Sequence, residues 1–183
     1  MVTNKHIDKI CIAVFAIALL ITGLFMNADK LGVKPANEGE SVLPMFSEAE
    51  LDGSWNTAGA VTISLADENT TVSGSGAYYA DGIVHIGYAG KYILSGTLSD
   101  GSVCVEAGGK DDVYLLLDNA DIKNESGAAI EIRNADKVTV TLAPDSENRL
   151  VCGDVFSADA VSQGIDGVIF SSDDLILNGS GSL

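Results

Sequence analysis

The sequence predicts an all-β fold, a right-handed parallel β-helix (a solenoid), preceded by one N-terminal hydrophobic helix and a linker. Three observations predict it. One short phrase recurs four times between Gly82 and Leu183, and self-similarity at this period marks a repeat architecture. The apolar positions of the four copies align with period two, the spacing of one face of a strand. The composition, 46% hydrophobic with 20 Gly and 3 Pro, excludes a disordered chain.

The copies are GIVHIGYAGKYILSGTLSD at 82–100, GSVCVEAGGKDDVYLLLDNADIKN from Gly101, AAIEIRNADKVTVTLAPDSENRLVC from Ala128, and GVIFSSDDLILNGSGSL from Gly167. Each has an alternating strand, a Gly/Ala/Asp turn and a more apolar second strand, and the complete copies add a short third strand. In the first strand Val84, Val103, Ile130 and Ile169 align, then Ile86, Val105, Ile132 and Ser171. In the second, Tyr92, Val113, Val138 and Leu175 align, then Leu94, Leu115, Val140 and Leu177. The third strand aligns Leu98, Ile122, Leu150 and Leu183. One copy cannot bury such a face alone. Stacked copies can, with like side chains about 4.8 Å apart, and right-handed winding follows the crossover rule. A β-sandwich is the alternative, since short strands with regular turns suit it too.

Taken in order, residues 1–26 pair a basic front (Lys5, His6, Lys9) with an uncharged apolar run at 10–26. That is an export signal, and the run is just long enough to span a membrane. Met26, three residues before a cut after Ala28, gives a poor cleavage site, which favours an uncleaved membrane anchor over a cleaved signal. Either places the repeats outside the cytoplasm, with membrane contact only through this segment. Residues 27–60 carry Pro35 and Pro44, scattered Gly and Ser, and no sustained period, so they read as a linker. Trp55 within it suits either an aromatic sealing the open end of the solenoid or a ligand platform. Residues 61–81 have strand-like runs outside the repeat, as a terminal cap does, and the domain is 61–183. The final copy is incomplete, leaving Leu175 and Leu177 on an uncovered edge. An exposed apolar edge is an association hazard, so the expectation is a chain that continues further or pairs end to end with itself.

The charge of -16 argues against nucleic acid as a partner, which needs basic patches. An acidic exported surface instead recruits cations. The turn after the first strand repeats Asp111, Asp136 and Asp173, beside a column of Lys91, Asp112, Lys137 and Asp174. This is either a self-compensated charge ladder or a set of oxygen ligands for Ca²⁺ from neighbouring copies. The insertion GDVFSADAVSQGID after Cys152 adds Asp154, Asp159 and Asp166 beside Phe156, and loops on rigid scaffolds carry function. The candidate calcium ligands are Asp111, Asp136, Asp154, Asp166, Asp173 and Asp174. Outward columns place His85, Glu131 and Phe170 on one face and Tyr114 and Thr139 on another. Rings there suit sugar faces, so His85, Tyr114, Glu131, Phe156 and Phe170 are the candidate carbohydrate contacts. Cys104 falls on an outward column and Cys152 on an inward phase, which opposes a bridge between them. No Gly-x-Ser-x-Gly elbow, phosphate loop or zinc spacing is present.

Several phrases carry a resemblance: VTISL, TVSGSG at 71–76, GKYILSGTLSDG at 90–101, DDVYLLLDNADI at 111–122, ADKVTVTLA at 135–143 and SSDDLILNGSGSL at 171–183. Together they span 61–183 and resemble secreted bacterial carbohydrate-binding domain-containing proteins. The resemblance implies a calcium-binding parallel β-helix, similar in architecture to pectate lyases, that binds acidic pectin-like or cellulose-like polysaccharide without catalysis. A β-helix polysaccharide lyase or hydrolase and a surface adhesin or scaffold are the alternatives.

Overall fold

The computed structural model describes Ser47 and residues 52–183. The expected hydrophobic segment 1–26 and most of the linker lie outside those residues. Among the described residues no helix is long and apolar enough to cross a membrane.

Among the described residues the fold is all-β, with twelve strands and one short helix. The strands are Val61–Ala66 (β1), Thr71–Ser73 (β2), Ala77–Ala80 (β3), Ile83–Ile86 (β4), Gly90–Leu98 (β5), Ser102–Glu106 (β6), Asp112–Asn124 (β7), Ile130–Asn134 (β8), Lys137–Leu142 (β9), Arg149–Cys152 (β10), Ile169–Ser171 (β11) and Asp174–Gly179 (β12); the helix is Ala158–Ser162 (α1). One sheet runs β12-β9-β7-β5-β1-β2, with β10 beside β7, and the other runs β11-β8-β6-β4-β3. Every pairing among β4 to β12 is parallel. The hairpins β1–β2 and β3–β4 are antiparallel, so both sheets are mixed rather than uniformly parallel.

The first-strand columns hold as aligned: Val84, Val103, Ile130 and Ile169 are register partners, as are Ile86, Val105, Ile132 and Ser171. The second-strand columns need a correction in the first copy. Tyr92 pairs with Leu115 and Leu94 with Leu117, while Val113 faces Gly90. The turns between first and second strands differ in length from copy to copy, so matching them by turn residues slips the register by two. Gly90 leaves room that the Tyr92 ring borders, with its hydroxyl donating to the Tyr88 carbonyl at 2.8 Å. The charge ladder shortens for the same reason. Asp112, Lys137 and Asp174 align, but Lys91 pairs with Tyr114 and donates to the Asn56 carbonyl at 2.9 Å. Leu98, Ile122 and Leu150 form the third column. Leu183 does not join it, because Ser182 bridges to Glu147, which sets Leu183 two residues short of the Leu150 register, where it is 53% exposed. In β5 and β7 the expected second and third strands are one continuous strand, irregular between Leu94 and Gly96.

The core lies between the sheets. Ile63, Val84, Leu94, Val103, Val113, Leu115, Leu117, Ile130, Ile132, Val138 and Val140 are all fully buried within it. Burying each such side chain contributes about 1.5–3 kcal/mol. Residues 52–60 form no strand. They run from Gly53, whose backbone abuts Gly179 at the end of β12, past Asn56 beside Lys91 of β5, to β1. Trp55, half-buried, sits in this crossing segment, which reaches from the last strand of the sheet to the first.

Candidate functional site: a groove on the outer face of the second sheet

Alternation builds the floor of the site. In β8, Ile130 and Ile132 point into the core, so Glu131 and Arg133 share the outer face two residues apart. There the Arg133 guanidinium donates through Nε at 3.1 Å and Nη2 at 2.8 Å to one Glu131 oxygen. Glu131 is 7% exposed, and a charge buried this deeply requires such a partner. The hydrogen bond to Glu131 raises the guanidinium pKa above its already high value. Register stacks Tyr78, His85, Cys104, Glu131 and Phe170 in one outward column. Burial pushes the Cys104 thiol up to about 11, so it stays protonated at neutral pH. Cys104 and Cys152 are both free thiols.

A two-residue turn, Asp81 (φ 51°) and Gly82 (φ 81°), joins β3 to β4. Positive φ at both positions is the primed hairpin turn that Asp-Gly favours. It fixes Tyr78 opposite His85, where the rings stack with centroids 4.7 Å apart and planes 13° apart. Tyr78 is 59% exposed.

The wall is the insertion. Ser157 caps α1, its Oγ accepting from the Ala160 amide at 3.1 Å, and Asp159 sits in the first turn where the helix dipole favours an anion. Gly164 at φ 75° ends the helix. Ile165 N–H donates to Ala160 C=O and Gly164 N–H to Val161 C=O, the paired bonds of a Schellman stop. Ala160 and Ile165 then pack with Ala128, Phe156 and Phe170 into a small cluster separate from the main core.

Floor and wall enclose a groove of about 340 Å³. His85, Cys104, Glu131 and Arg133 line its floor, Asp81 and Asp100 stand at the strand-start side, and Asp159 and Gln163 come from the helix. Arg133 is the one arginine or lysine among the described residues lining it, and Glu106 adds a further carboxylate. Asp81 and Asp100 also border a wider hollow of about 870 Å³ with Asp67 and Glu68. Asp67 there accepts from the Ser99 amide at 2.6 Å and hydroxyl at 2.8 Å, which lowers its pKa.

Of the expected carbohydrate contacts, the groove gathers His85 and Glu131. Tyr114 lies on the other sheet, 37% exposed. Phe156 and Phe170 are half-buried in the cluster that seats α1. The expected calcium ligands do not converge. Asp111 accepts from the Gly108 amide at 2.9 Å and closes its own turn, and Asp173 accepts from the Ala135 amide at 3.0 Å and ties its turn to that of the neighbouring copy. Asp136, Asp154, Asp166 and Asp174 are exposed. Among the described residues no three His, Cys, Asp or Glu side chains gather to hold a metal ion, so the Asp column does not fit a preformed calcium cage. Asp159, expected in the functional insertion, lines the groove, and Asp81, Asp100 and Gln163 line it without having been among the candidates; Tyr78, also not among them, stacks on His85 beside it. Tyr78 was within reach of the sequence, because an Asp-Gly hairpin between AYYA and IVHI pairs it with His85 by counting.

The outer face of the second sheet thus carries a stacked aromatic pair beside a polar groove. The chain belongs to the carbohydrate-binding domain-containing protein family, whose model matches residues 80–183. It is 34% identical over 101 residues to a carbohydrate-binding domain-containing protein of Acetivibrio thermocellus, an alignment covering 55% of this chain and 35% of that protein. Among solved structures it is similar to the polysaccharide lyase-like protein from C. thermocellum, a gadolinium derivative, with a TM-score of 0.64 and 28% identity over 67% of this chain and 50% of that one. The chain thus matches about a third of the curated relative and half of the solved one.

Proposed function

We propose that this chain is a non-catalytic polysaccharide-binding module of the cell exterior, and that its groove on the outer face of β4, β6 and β8 holds the glycan. The observation that carries the reading is the Tyr78–His85 stack beside a groove lined by polar groups. The Tyr78 ring, one face stacked on His85 and the residue 59% exposed, keeps its other face for a sugar ring, and the carboxylates and amides of the groove take hydroxyls. The alternation of β4 to β9 between two sheets with parallel pairing supports a right-handed parallel β-helix. The basic, apolar N-terminal sequence supports export or anchoring with this domain outside.

Calcium enters the reading with the ligand. The groove is lined by Asp81, Asp100, Glu106, Glu131 and Asp159 against Arg133, and residues from 61 on carry 19 acidic against six basic groups. An acidic pectin-like polymer therefore needs a bridging cation that accepts oxygen ligands from both sides, whereas a neutral cellulose-like polymer needs none. The lyase reading has support in the name of the solved relative. Against it, general-base chemistry needs a group near its operating pH, and the Glu131 contact holds Arg133 cationic.

The test is retention on polygalacturonate and on cellulose, with calcium or with a chelator, while product absorbance is followed. Tyr78→Ala is expected to weaken retention several-fold with folding unchanged. Chelator is expected to abolish retention on polygalacturonate only. Accumulation of unsaturated product would move the chain to the lyases, and retention on cells without retention on any glycan would move it to the adhesins.

A further inference from the structure

The outward column of the second sheet runs Tyr78, His85, Cys104, Glu131, Phe170, one residue from each of β3, β4, β6, β8 and β11. A glycan lying across these strands meets different surroundings at the two ends of the column. At the β3 end Tyr78 stands 59% exposed beside His85, and no residue of β3 lines the groove. At the β11 end Phe170 is covered. It packs with Ala160 and Ile165 of the insertion, and these two residues also line the groove. The lining reaches β8 through Glu131 and Arg133 and includes no residue of β11. The helix therefore stands across the groove where the next strand would have extended it.

The wall is anchored. Ser157 donates its backbone N–H to the Ser126 carbonyl at 2.8 Å. Gly153 starts the insertion hard against the Glu125 backbone, where a Cβ would clash. Gly127 and Ala128, next in sequence, are buried beneath it. The paired bonds of the Schellman stop then turn Ile165 back onto Ala160.

We infer that the groove is blind at the β11 end and takes the terminus of a polysaccharide chain rather than an internal stretch, with the last sugar against α1 and the chain leaving over Tyr78. From β3 to β8 the column covers three strand spacings, about 14 Å, room for a short run of sugar rings. Asp159 and Gln163, hydrogen-bonded to each other at 2.8 Å and both lining the groove, are the helix groups that meet the terminal sugar. This rests on the groove being the glycan site.

The experiment measures stoichiometry with graded-length cello-oligosaccharides, and with graded-length galacturonate oligomers in calcium, by calorimetry or sedimentation. A blind groove binds one protein per glycan chain however long the chain. A groove open at both ends loads more proteins as the chain lengthens, and that climb would overturn the inference while leaving glycan binding intact. Failure to bind either series overturns the parent reading and this one with it. Replacing residues 154–165 by a short Gly-Ser turn is expected to open the groove and make stoichiometry rise with length. If that variant does not fold, the length series on the unaltered chain decides alone.

Discussion

The two outer edges of the sheets are built differently. At the β2/β3 edge the chain reverses twice. β2 lies antiparallel on β1, the chain crosses to the second sheet, and β3 lies antiparallel on β4 before the Asp81-Gly82 turn. Val72, Ala77 and Tyr79 on these short strands are half-buried against the core, and Ile63, Val84 and Ile86 behind them are 0–1% exposed. At the β11/β12 edge no strand follows among the described residues. Leu175 and Leu177, which share the inward phase of Val138 and Val140, are 38% and 52% exposed. Short, reversed strands are a standard way of blunting a sheet edge. The difference shows what a segment that departs from the repeat does at an edge: it pairs the edge strands and covers the apolar row behind them.

The largest effect that tests this contrast is in the core. Ile63→Ala, under the antiparallel cap, is expected to cost about 2–5 kcal/mol. Leu177→Ala, on the inward phase of the strand at the other edge, is expected to cost under about 1 kcal/mol, because half of its surface already faces water. Denaturant unfolding of both variants measures the difference, and equal costs would mean that the β12 edge is covered in solution.

A smaller effect is expected at the cap's own turn. Gly82 has φ 81°, and a Cβ there meets only the Asp100 carbonyl at 3.5 Å. Gly82→Val is therefore a test of backbone strain rather than of a clash, at about 1–2 kcal/mol. Because this turn sets the register that stacks Tyr78 on His85, the variant is also expected to lose glycan retention beyond what its stability change explains. Full retention would separate the stack from the cap.

The first-strand columns were legible because strand period and side-chain type agree across all four copies. The second-strand register was not, because it depends on turn length, and turn lengths vary while their Asp and Gly residues look alike. The site was legible in part for the same reason. His85 and Glu131 could be placed from alternation alone, whereas Phe156 and Phe170 were read as ligand contacts because nothing local to them says that an inserted helix will fold back and cover them. The Asp column looked like a calcium site because its members recur, but recurrence at a turn also serves backbone N–H groups. Asp111 and Asp173 do that.

The smallest effect on stability, and the one that sharpens the contrast most, is at the bare edge. Ile176, which points outward between Leu175 and Leu177, is 8% exposed, so β12 hides its outer side and shows its inner one. An edge strand that offers unpaired backbone groups and two leucines is a template for another strand. Concentration-dependent association through this edge is the expected behaviour of the chain. Leu177→Lys places a charge on a half-exposed position, where stability is expected to change by no more than about 0.5 kcal/mol, and it is expected to suppress the association, as an edge lysine does in natural sheets. Sedimentation velocity over a concentration series measures both chains. Association that persists unchanged in Leu177→Lys would place the contact elsewhere, and the same substitution at Val72 on the capped edge is the control that leaves association as it was.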